Sequence, residues 1–287
     1  MSTHLSMPKE QIRILLLEGV SNTAMEAFSA AGYENVERLK TALDARQLKE
    51  ALPGVRLLGI RSRTQITAEV VAAAPRLMAI GCFSVGVNQV DLDAARAAGA
   101  PVFNAPFSNT RSVAELTIAE IVMLYRGIFP KSVAAHAGRW IKSALGSHEV
   151  RGKTLGVVGY GNIGTQLATL AEAMGMEVVF YDVVDKLQRG TARVAATLEE
   201  LLALADVVSL HVPDTTLTRD MIGEAEIRAM KPGAFLINNA RGSLVDLDAL
   251  ARALRDGHLG GAAIDVFPVE PGSNAEPFDS PLRGLDN

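Results

Sequence analysis

Gly159-Tyr160-Gly161-Asn162-Ile163-Gly164 sets the strictest limit on what this chain can fold into. The apolar run Leu155-Gly156-Val157-Val158 leads straight into it, and an amphipathic stretch from Thr165 to Met174 leaves it. A strand feeding a Gly-x-Gly-x-x-Gly turn that opens a helix is the pattern of a dinucleotide-binding βαβ unit. Gly159 permits the tight turn, Gly161 lets the backbone approach a pyrophosphate, and Gly164 lets helix and strand pack closely. The helix N-terminus then offers free N–H groups and partial positive charge to the phosphates. A second strand over 177–181 ends at Asp182, eighteen residues beyond Gly164. A carboxylate there accepts hydrogen bonds from ribose hydroxyls and repels a 2′-phosphate, which predicts NAD rather than NADP. Alone, the glycines also fit an ordinary tight turn; strand, helix, second strand and acid together point to a dinucleotide.

Outside this motif, short apolar runs alternate with helical patterns, which predicts parallel α/β structure. Before the glycines, strands are expected at 12–17, 36–39, 55–60, 77–80 and 102–103, with helices at 23–31, 45–52, 68–74 and 92–98. Asp44 and Thr67 stand where N-caps belong, and Gly32 and Gly99 where helices should stop. A hinge over 104–109 precedes one long helix from Ser112 to His136. The second sheet then runs through Val157, Val178, Val194, 207–212, 234–239 and 262–266, with helices at 198–204, 224–230 and 247–255. The expected architecture is α/β: a flavodoxin-like substrate-binding domain over 1–107 and a Rossmann NAD-binding domain over 108–287, with a cleft between them. The 287 residues suffice for two domains, and 48% hydrophobic content with few aromatics suits helices packed on parallel sheets.

Charge and cysteine usage narrow the class further. A formal charge of −4 gives no electrostatic case for nucleic acid or an anionic membrane. Cys82 is the one cysteine, so no intrachain disulfide can form, and a reducing compartment is expected. The first eleven residues lack an apolar signal core, and the most apolar helical stretch, 116–129, is broken by Glu120 and Arg126. These features predict a cytoplasmic protein.

The segment 230–246 carries the next strong signal. An apolar strand delivers Arg241 to the carboxyl edge of the sheet, where ligands bind in open α/β folds. A guanidinium grips a carboxylate with two parallel hydrogen bonds and can polarise a neighbouring carbonyl, which an ammonium cannot imitate. The following strand delivers Asp265 and leads to Glu270. The competing readings are a surface ion pair for Arg241 and a solvated turn carboxylate for Glu270, which Pro268 and Pro271 flank.

With the glycine turn, these residues resemble the D-isomer-specific 2-hydroxyacid dehydrogenases. The resemblance extends over 85–91, 104–115 and 262–268, and so over almost the whole chain. It is closest to the members that oxidise D-3-phosphoglycerate to 3-phosphohydroxypyruvate with NAD, the first step of serine biosynthesis. The resemblance implies that Arg241 anchors and polarises a 2-oxo acid, and that Glu270 orients a catalytic histidine and raises its pKa. It implies that Asp265 binds the nicotinamide carboxamide, that Asn239 and Ala240 line the nicotinamide, and that Asn162, Ile163 and Asp182 hold pyrophosphate and ribose. No metal ligands are assigned.

In that family the general acid is a histidine in a Pro-His pair, one strand beyond the glutamate. By this reading the pair falls just past Asn287, and none of His4, His136, His148, His211 and His258 stands in such a motif. His211 is expected to be a cofactor-side or packing residue, and His136 and His258 helix-end residues. A chain truncated there is expected to lack the last strand and return helix of its sheet. It would also forgo an acid–base contribution of roughly 10²–10⁴-fold.

Arg61-Ser62-Arg63 ends a first-domain strand with cationic forks suited to a phosphate plus a carboxylate. The resemblance gives Arg61, Ser62 and Asn109 as substrate residues, with Arg63, Lys40 and Lys142 as weaker phosphate-side candidates; a solvated basic strand end is the competing reading. Apolar residues on more than one face of the long helix, Leu116, Ile118, Ile121, Val122, Leu124 and Tyr125, together with Trp140, predict a homodimer or higher homo-oligomer. Burial of that helix within its own domain is the alternative. The expected partner is a small phosphorylated 2-hydroxy acid, with no nucleic acid or membrane. Alternatives are another D-2-hydroxyacid dehydrogenase, such as a glyoxylate or hydroxypyruvate reductase, and a non-catalytic NAD-binding module.

Overall fold

A computed structural model describes residues 7–271 and 275–287, which fall into two units that divide between Asn109 and Thr110. His4 lies outside the described residues. The first unit runs β1 (Arg13–Leu16), α1 (Asn22–Ala30), β2 (Val36–Arg38), α2 (Ala45–Ala51), β3 (Val55–Ile60), α3 (Ala68–Ala72), β4 (Ala79–Cys82), α4 (Leu92–Ala97) and β5 (Val102–Phe103). Its five strands are parallel in the order β2-β1-β3-β4-β5. That order reverses direction between β1 and β3, the flavodoxin-like switch point. Ile14 and Leu16 pack on one face of the sheet and Leu15, Leu58, Ile60 and Ile80 on the other, so apolar runs replace alternation.

The second unit runs α5 (Thr110–Arg126), α6 (Ile128–His136), β6 (Thr154–Val158), α7 (Asn162–Ala173), β7 (Glu177–Tyr181), β8 (Arg193–Val194), α8 (Leu198–Leu204), β9 (Val207–Leu210), α9 (Glu224–Ala229), β10 (Phe235–Asn238), α10 (Leu247–Arg255) and β11 (Gly261–Ile264). Its strands are parallel in the order β11-β10-β9-β6-β7-β8. This is the doubly wound Rossmann order, reversing between β6 and β9. Leu155, Val157, Val178, Phe180 and Ile237 face α5 and α7; Val158, Val208, Leu210 and Leu236 face α8 to α10.

The long helix expected over 112–136 is two helices. Pro130 has no N–H to give the Arg126 carbonyl four residues back, so the helical ladder fails there. Lys131 Nζ (3.1 Å) and Ser147 Oγ (3.2 Å) take that carbonyl instead, and Gly127 turns the chain at φ 56°. Thr110, Ala114, Thr117, Ile121 and Tyr125 form the buried stripe of α5, which packs on α7, while Leu116 and Met123 stay exposed. The strand expected at 77–80 is shifted to Ala79–Cys82, because Gly81 continues the ladder beside Gly59 rather than ending it. Asp44 caps α2 through a reciprocal bond with Gln47, whereas Thr67 occupies its cap position without a side-chain bond.

Candidate active site

Because the second sheet is parallel, its carboxyl edge collects every loop that follows a strand. The glycine turn follows β6, Asp182 follows β7, His211 β9, Asn239-Ala240-Arg241 β10, and Asp265 β11. The helix α7 starts within the glycine motif, at Asn162 rather than Thr165, with Gly161 as its N-cap. Gly159 adopts φ 94°, and a Cβ there would meet the His211 carbonyl oxygen at 2.6 Å. A Cβ on Gly164 would run into the Gly159 carbonyl, so α7 lies hard against the turn. A Cβ on Gly161 would meet nothing within 4 Å. The first and third glycines are thus required by the protein's own packing, while the second borders open space that a pyrophosphate fits.

Asp182 braces that turn. Its Oδ2 accepts the Tyr160 N–H at 2.8 Å and its Oδ1 the Val184 N–H at 3.0 Å. Each carboxylate oxygen keeps a lone pair for a ribose hydroxyl. Tyr160 stacks on Phe180 with ring centroids 3.7 Å apart, which anchors the turn from below.

The turn carrying Arg241 is clamped by Asn238, which is fully buried. Asn238 Nδ2 donates to the Arg241 carbonyl (2.9 Å), and its Oδ1 accepts the Ala240 N–H (3.1 Å). The Arg241 guanidinium is half-buried and donates to the Ala240 carbonyl at 2.7 Å. Gly242 presses directly on Phe267 and Pro268, where any side chain would collide with the backbone. This contact brings the Arg241 segment against the segment leading to Glu270. Glu270 is exposed, and its Oε1 accepts the Phe267 N–H at 3.2 Å.

Asn239 is tied to α5, donating from Nδ2 to Thr117 Oγ1 (3.0 Å) and Glu120 Oε2 (2.7 Å). Burial lifts the Glu120 carboxyl above its ordinary range; the Asn239 bond opposes this and the Asp265 charge adds to it. Glu120, Asn239 and the exposed Asp265 therefore sit together at the end of β10 and β11. Neither Asn238 nor Glu120 is among the site residues expected from the sequence. A polar residue closing the apolar run Phe235-Leu236-Ile237 was the signal for the first; an acid inside the most apolar helix was the signal for the second.

His211 serves packing. Its N–H continues the ladder to Val158 (2.7 Å), its carbonyl lies against Gly159, and its Nε2 is 2.9 Å from Ser209 Oγ. Burial pushes its pKa down to about 4, so it is neutral at physiological pH. His258 lies at the opposite, amino edge, where its Nε2 meets the Ile227 carbonyl at 2.9 Å.

In the first unit, Arg61, Ser62 and Arg63 follow β3 and lie at that sheet's own switch point, their side chains exposed. Asn109 and Lys40 are exposed on loops of the same unit, and Lys142 is exposed in the second.

Residues 118–287 match the D-isomer specific 2-hydroxyacid dehydrogenase family, NAD binding domain. D-3-phosphoglycerate dehydrogenase of Haemophilus influenzae is 56% identical over 287 residues, covering 100% of this chain and 70% of that protein. The Escherichia coli K12 protein of the same name is 55% identical over 282 residues, 98% of this chain and 69% of its own length. Among solved structures, D-lactate dehydrogenase of Aquifex aeolicus, complexed with NAD and lactic acid, superposes with a TM-score of 0.80 at 33% identity. That match covers 89% of this chain and 77% of the other. The chain belongs to the D-isomer specific 2-hydroxyacid dehydrogenases. As a member of that family it is an NAD-dependent oxidoreductase acting on a small molecule, and the glycine turn, the α7 N-terminus and Asp182 are the groups that fit NAD. Among the described residues, no helix of this dehydrogenase is long and apolar enough to cross a membrane.

Proposed function

We propose that this dehydrogenase oxidises D-3-phosphoglycerate to 3-phosphohydroxypyruvate, the entry reaction of serine biosynthesis. The observation that carries the reading is the exposed pair of guanidiniums, Arg61 and Arg63, around Ser62 at a sheet switch point. A plain 2-hydroxy acid needs one cation for its carboxylate; a phosphorylated one needs more. The relatives named above support the same substrate. In this reading residues 1–107 bind substrate, with Arg61, Ser62, Arg63 and Asn109 holding the phosphorylated acid. Residues 108–287 bind NAD through Gly159, Gly161, Asn162, Ile163, Gly164 and Asp182, with Asn239, Ala240 and Asp265 on the nicotinamide side. Arg241 grips the carboxylate and polarises the C2 oxygen, and Glu270 orients the proton-transferring group. NAD, when bound, accepts the hydride from C2.

The test is a panel of D-3-phosphoglycerate, D-glycerate and D-lactate, followed by NADH formation. Charge-assisted bonds are worth about 1.5–3 kcal/mol, so Arg61→Ala should raise KM for the phosphorylated substrate roughly 10–100-fold. KM for an unphosphorylated substrate should move little. Equal effects on both, or a preference for D-glycerate in the unaltered protein, would refute the assignment.

The same protein is read as a cytoplasmic homodimer or higher homo-oligomer. Phe129, Val133 and Leu145 are exposed apolar side chains, and Trp140 is 83% exposed. Such side chains are what a subunit interface covers. Trp140→Arg should convert the assembly to monomers in sedimentation.

A further inference from the structure

Glu18 is 4% exposed yet carries a carboxylate, and it adopts φ 59°, a left-handed conformation rare for a residue with a side chain. Such strain persists only where the surroundings fix it. What fixes it here is the basic loop after β3. Glu18 Oε1 accepts the N–H groups of Arg61 (3.1 Å) and Thr64 (2.9 Å), and Oε2 accepts that of Arg63 (3.0 Å). The Arg63 Nε lies 3.9 Å from Oε2, a loose ion pair, and most of that side chain stays in solvent.

The loop's other polar side is held as firmly. Gln89, also 4% exposed, donates from Nε2 to the Arg61 carbonyl at 2.6 Å and to Ser84 Oγ at 3.1 Å. The Gln89 backbone is itself fixed, because its carbonyl accepts the Ile66 N–H at 2.8 Å. Two buried side chains from two different segments therefore fix the backbone of Arg61, Arg63 and Thr64 on both sides of Ser62. The guanidiniums of that loop are left facing outward.

We propose that Glu18 and Gln89 are positioning residues that lock the Arg61–Ser62–Arg63 loop in the conformation that binds a phosphorylated carboxylic acid. The proposal rests on the substrate reading given above. The physical point is ordering cost. A free loop must be frozen when the ligand arrives, and that cost is subtracted from affinity; a loop frozen in advance avoids it. A buried anion also satisfies the loop's N–H groups, so the ligand meets guanidiniums and hydroxyl rather than backbone.

Three proteins test this: the unaltered chain, Glu18→Gln and Gln89→Met. Each is titrated separately with D-3-phosphoglycerate and with NADH, and amide exchange is followed at Arg61, Arg63 and Thr64. Glu18→Gln keeps the shape but turns an –NH2 group toward the Arg63 N–H. Exchange at the three amides should quicken by about tenfold or more while Leu15 and Leu58 hold their rates. D-3-phosphoglycerate should bind about tenfold more weakly, as loss of a hydrogen bond to a charged group implies, with NADH unchanged. Gln89→Met, acting on the carbonyl side, should weaken the same ligand and spare NADH, and it carries the test if Glu18→Gln does not fold. Loop amides that exchange no faster in Glu18→Gln, or a freed loop that binds D-3-phosphoglycerate as before, would overturn the clamp. An unaltered chain that binds NADH but not D-3-phosphoglycerate would instead overturn the substrate reading and the ligand named here.

Discussion

Asn239 donates its side-chain amide to Glu120 Oε2 at 2.7 Å, which ties the turn after β10 to helix α5. The acceptor is a half-buried carboxyl with a neutral donor, Asn239, and a second acid, Asp265, close by. Burial and the neighbouring charge outweigh the hydrogen bond, so the carboxyl holds its proton to higher pH in the folded protein than in the unfolded chain. The sign follows. Folding stability supplied by the retained proton is full below the ordinary glutamate range and is lost as pH rises through the raised value. Glu120→Gln keeps an acceptor for Asn239 and removes the charge. Its melting temperature should exceed that of the unaltered chain at pH 8, by about 2 °C. Near pH 4 the two should melt together. Thermal denaturation at both pH values decides it, and an equal gain at each would sink the argument.

Glu18 is the mirror case. It is more enclosed than most acids, and burial raises its pKa, but hydrogen bonds from the backbone N–H groups of Thr64, Arg63 and Arg61 outweigh that cost. Its carboxyl is held below the ordinary range. The stability it supplies is present above that range and is lost as pH falls through the lowered value. The titratable groups facing it are Arg63 at 3.9 Å and the Cys82 thiol, whose own pKa burial and the Glu18 charge push to about 11. Cys82 stays neutral throughout the acid range. The amide resonances of Arg61, Arg63 and Thr64 should therefore shift together in one acid transition, below the ordinary glutamate range. Glu18→Gln should abolish it.

How much of this was readable beforehand depends on whether a residue acts through local pattern or through a distant neighbour. The glycine turn was legible because Gly159, Gly161 and Gly164 have separate backbone tasks at fixed spacing, and Asp182 follows at the end of the next strand. That both sheets are parallel follows from alternating strands and helices joined by crossovers, while the same alternation does not separate their two different strand orders. The break at Gly127 was missed although Pro130 marked it, because apolar residues recur at helical spacing on both sides of it, from Leu116 to Val133. The partners of Glu18, Gln89 and Glu120 were missed for another reason. Glu18 reaches amides 43 to 46 positions away and Glu120 an amide 119 away, and no local pattern encodes such a partner.

The glycine turn yields a contrast within three residues. A methyl on Gly164 would strike the Gly159 carbonyl and Val157, neither of which can move without displacing the turn. Gly164→Ala should cost about 1–3 kcal/mol by overpacking. A methyl on Gly161 meets no protein atom within 4 Å, and its φ of −85° suits any residue. Gly161→Ala should melt within about 0.5 kcal/mol of the unaltered chain, as surface changes do. It should nonetheless lose most of its NADH affinity, because the added carbon occupies the space of the pyrophosphate. Calorimetric melting alongside fluorescence titration of NADH separates the two. Equal losses of stability would remove the assignment of Gly161 to the cofactor.

Asp182 carries two duties, and different substitutions should divide them. Its Oδ2 holds the Tyr160 N–H and its Oδ1 the Val184 N–H, so the carboxylate braces the turn before any ribose arrives. Asp182→Asn keeps one acceptor for the backbone and removes the negative charge. It loses one of the two backbone acceptors, so its melting temperature should fall, but by less than that of an alanine variant, while the preference for NADH over NADPH narrows because repulsion of a 2′-phosphate is gone. Asp182→Ala strips both acceptors and leaves the Tyr160 amide unsatisfied. An unpaired buried donor costs about 1–3 kcal/mol, so this variant should melt several degrees lower and bind NADH at least about tenfold more weakly. Paired NADH and NADPH titrations of both variants provide the measurement. An Asp182→Asn protein that still rejects NADPH as firmly as before would show that discrimination resides elsewhere on the β7 edge.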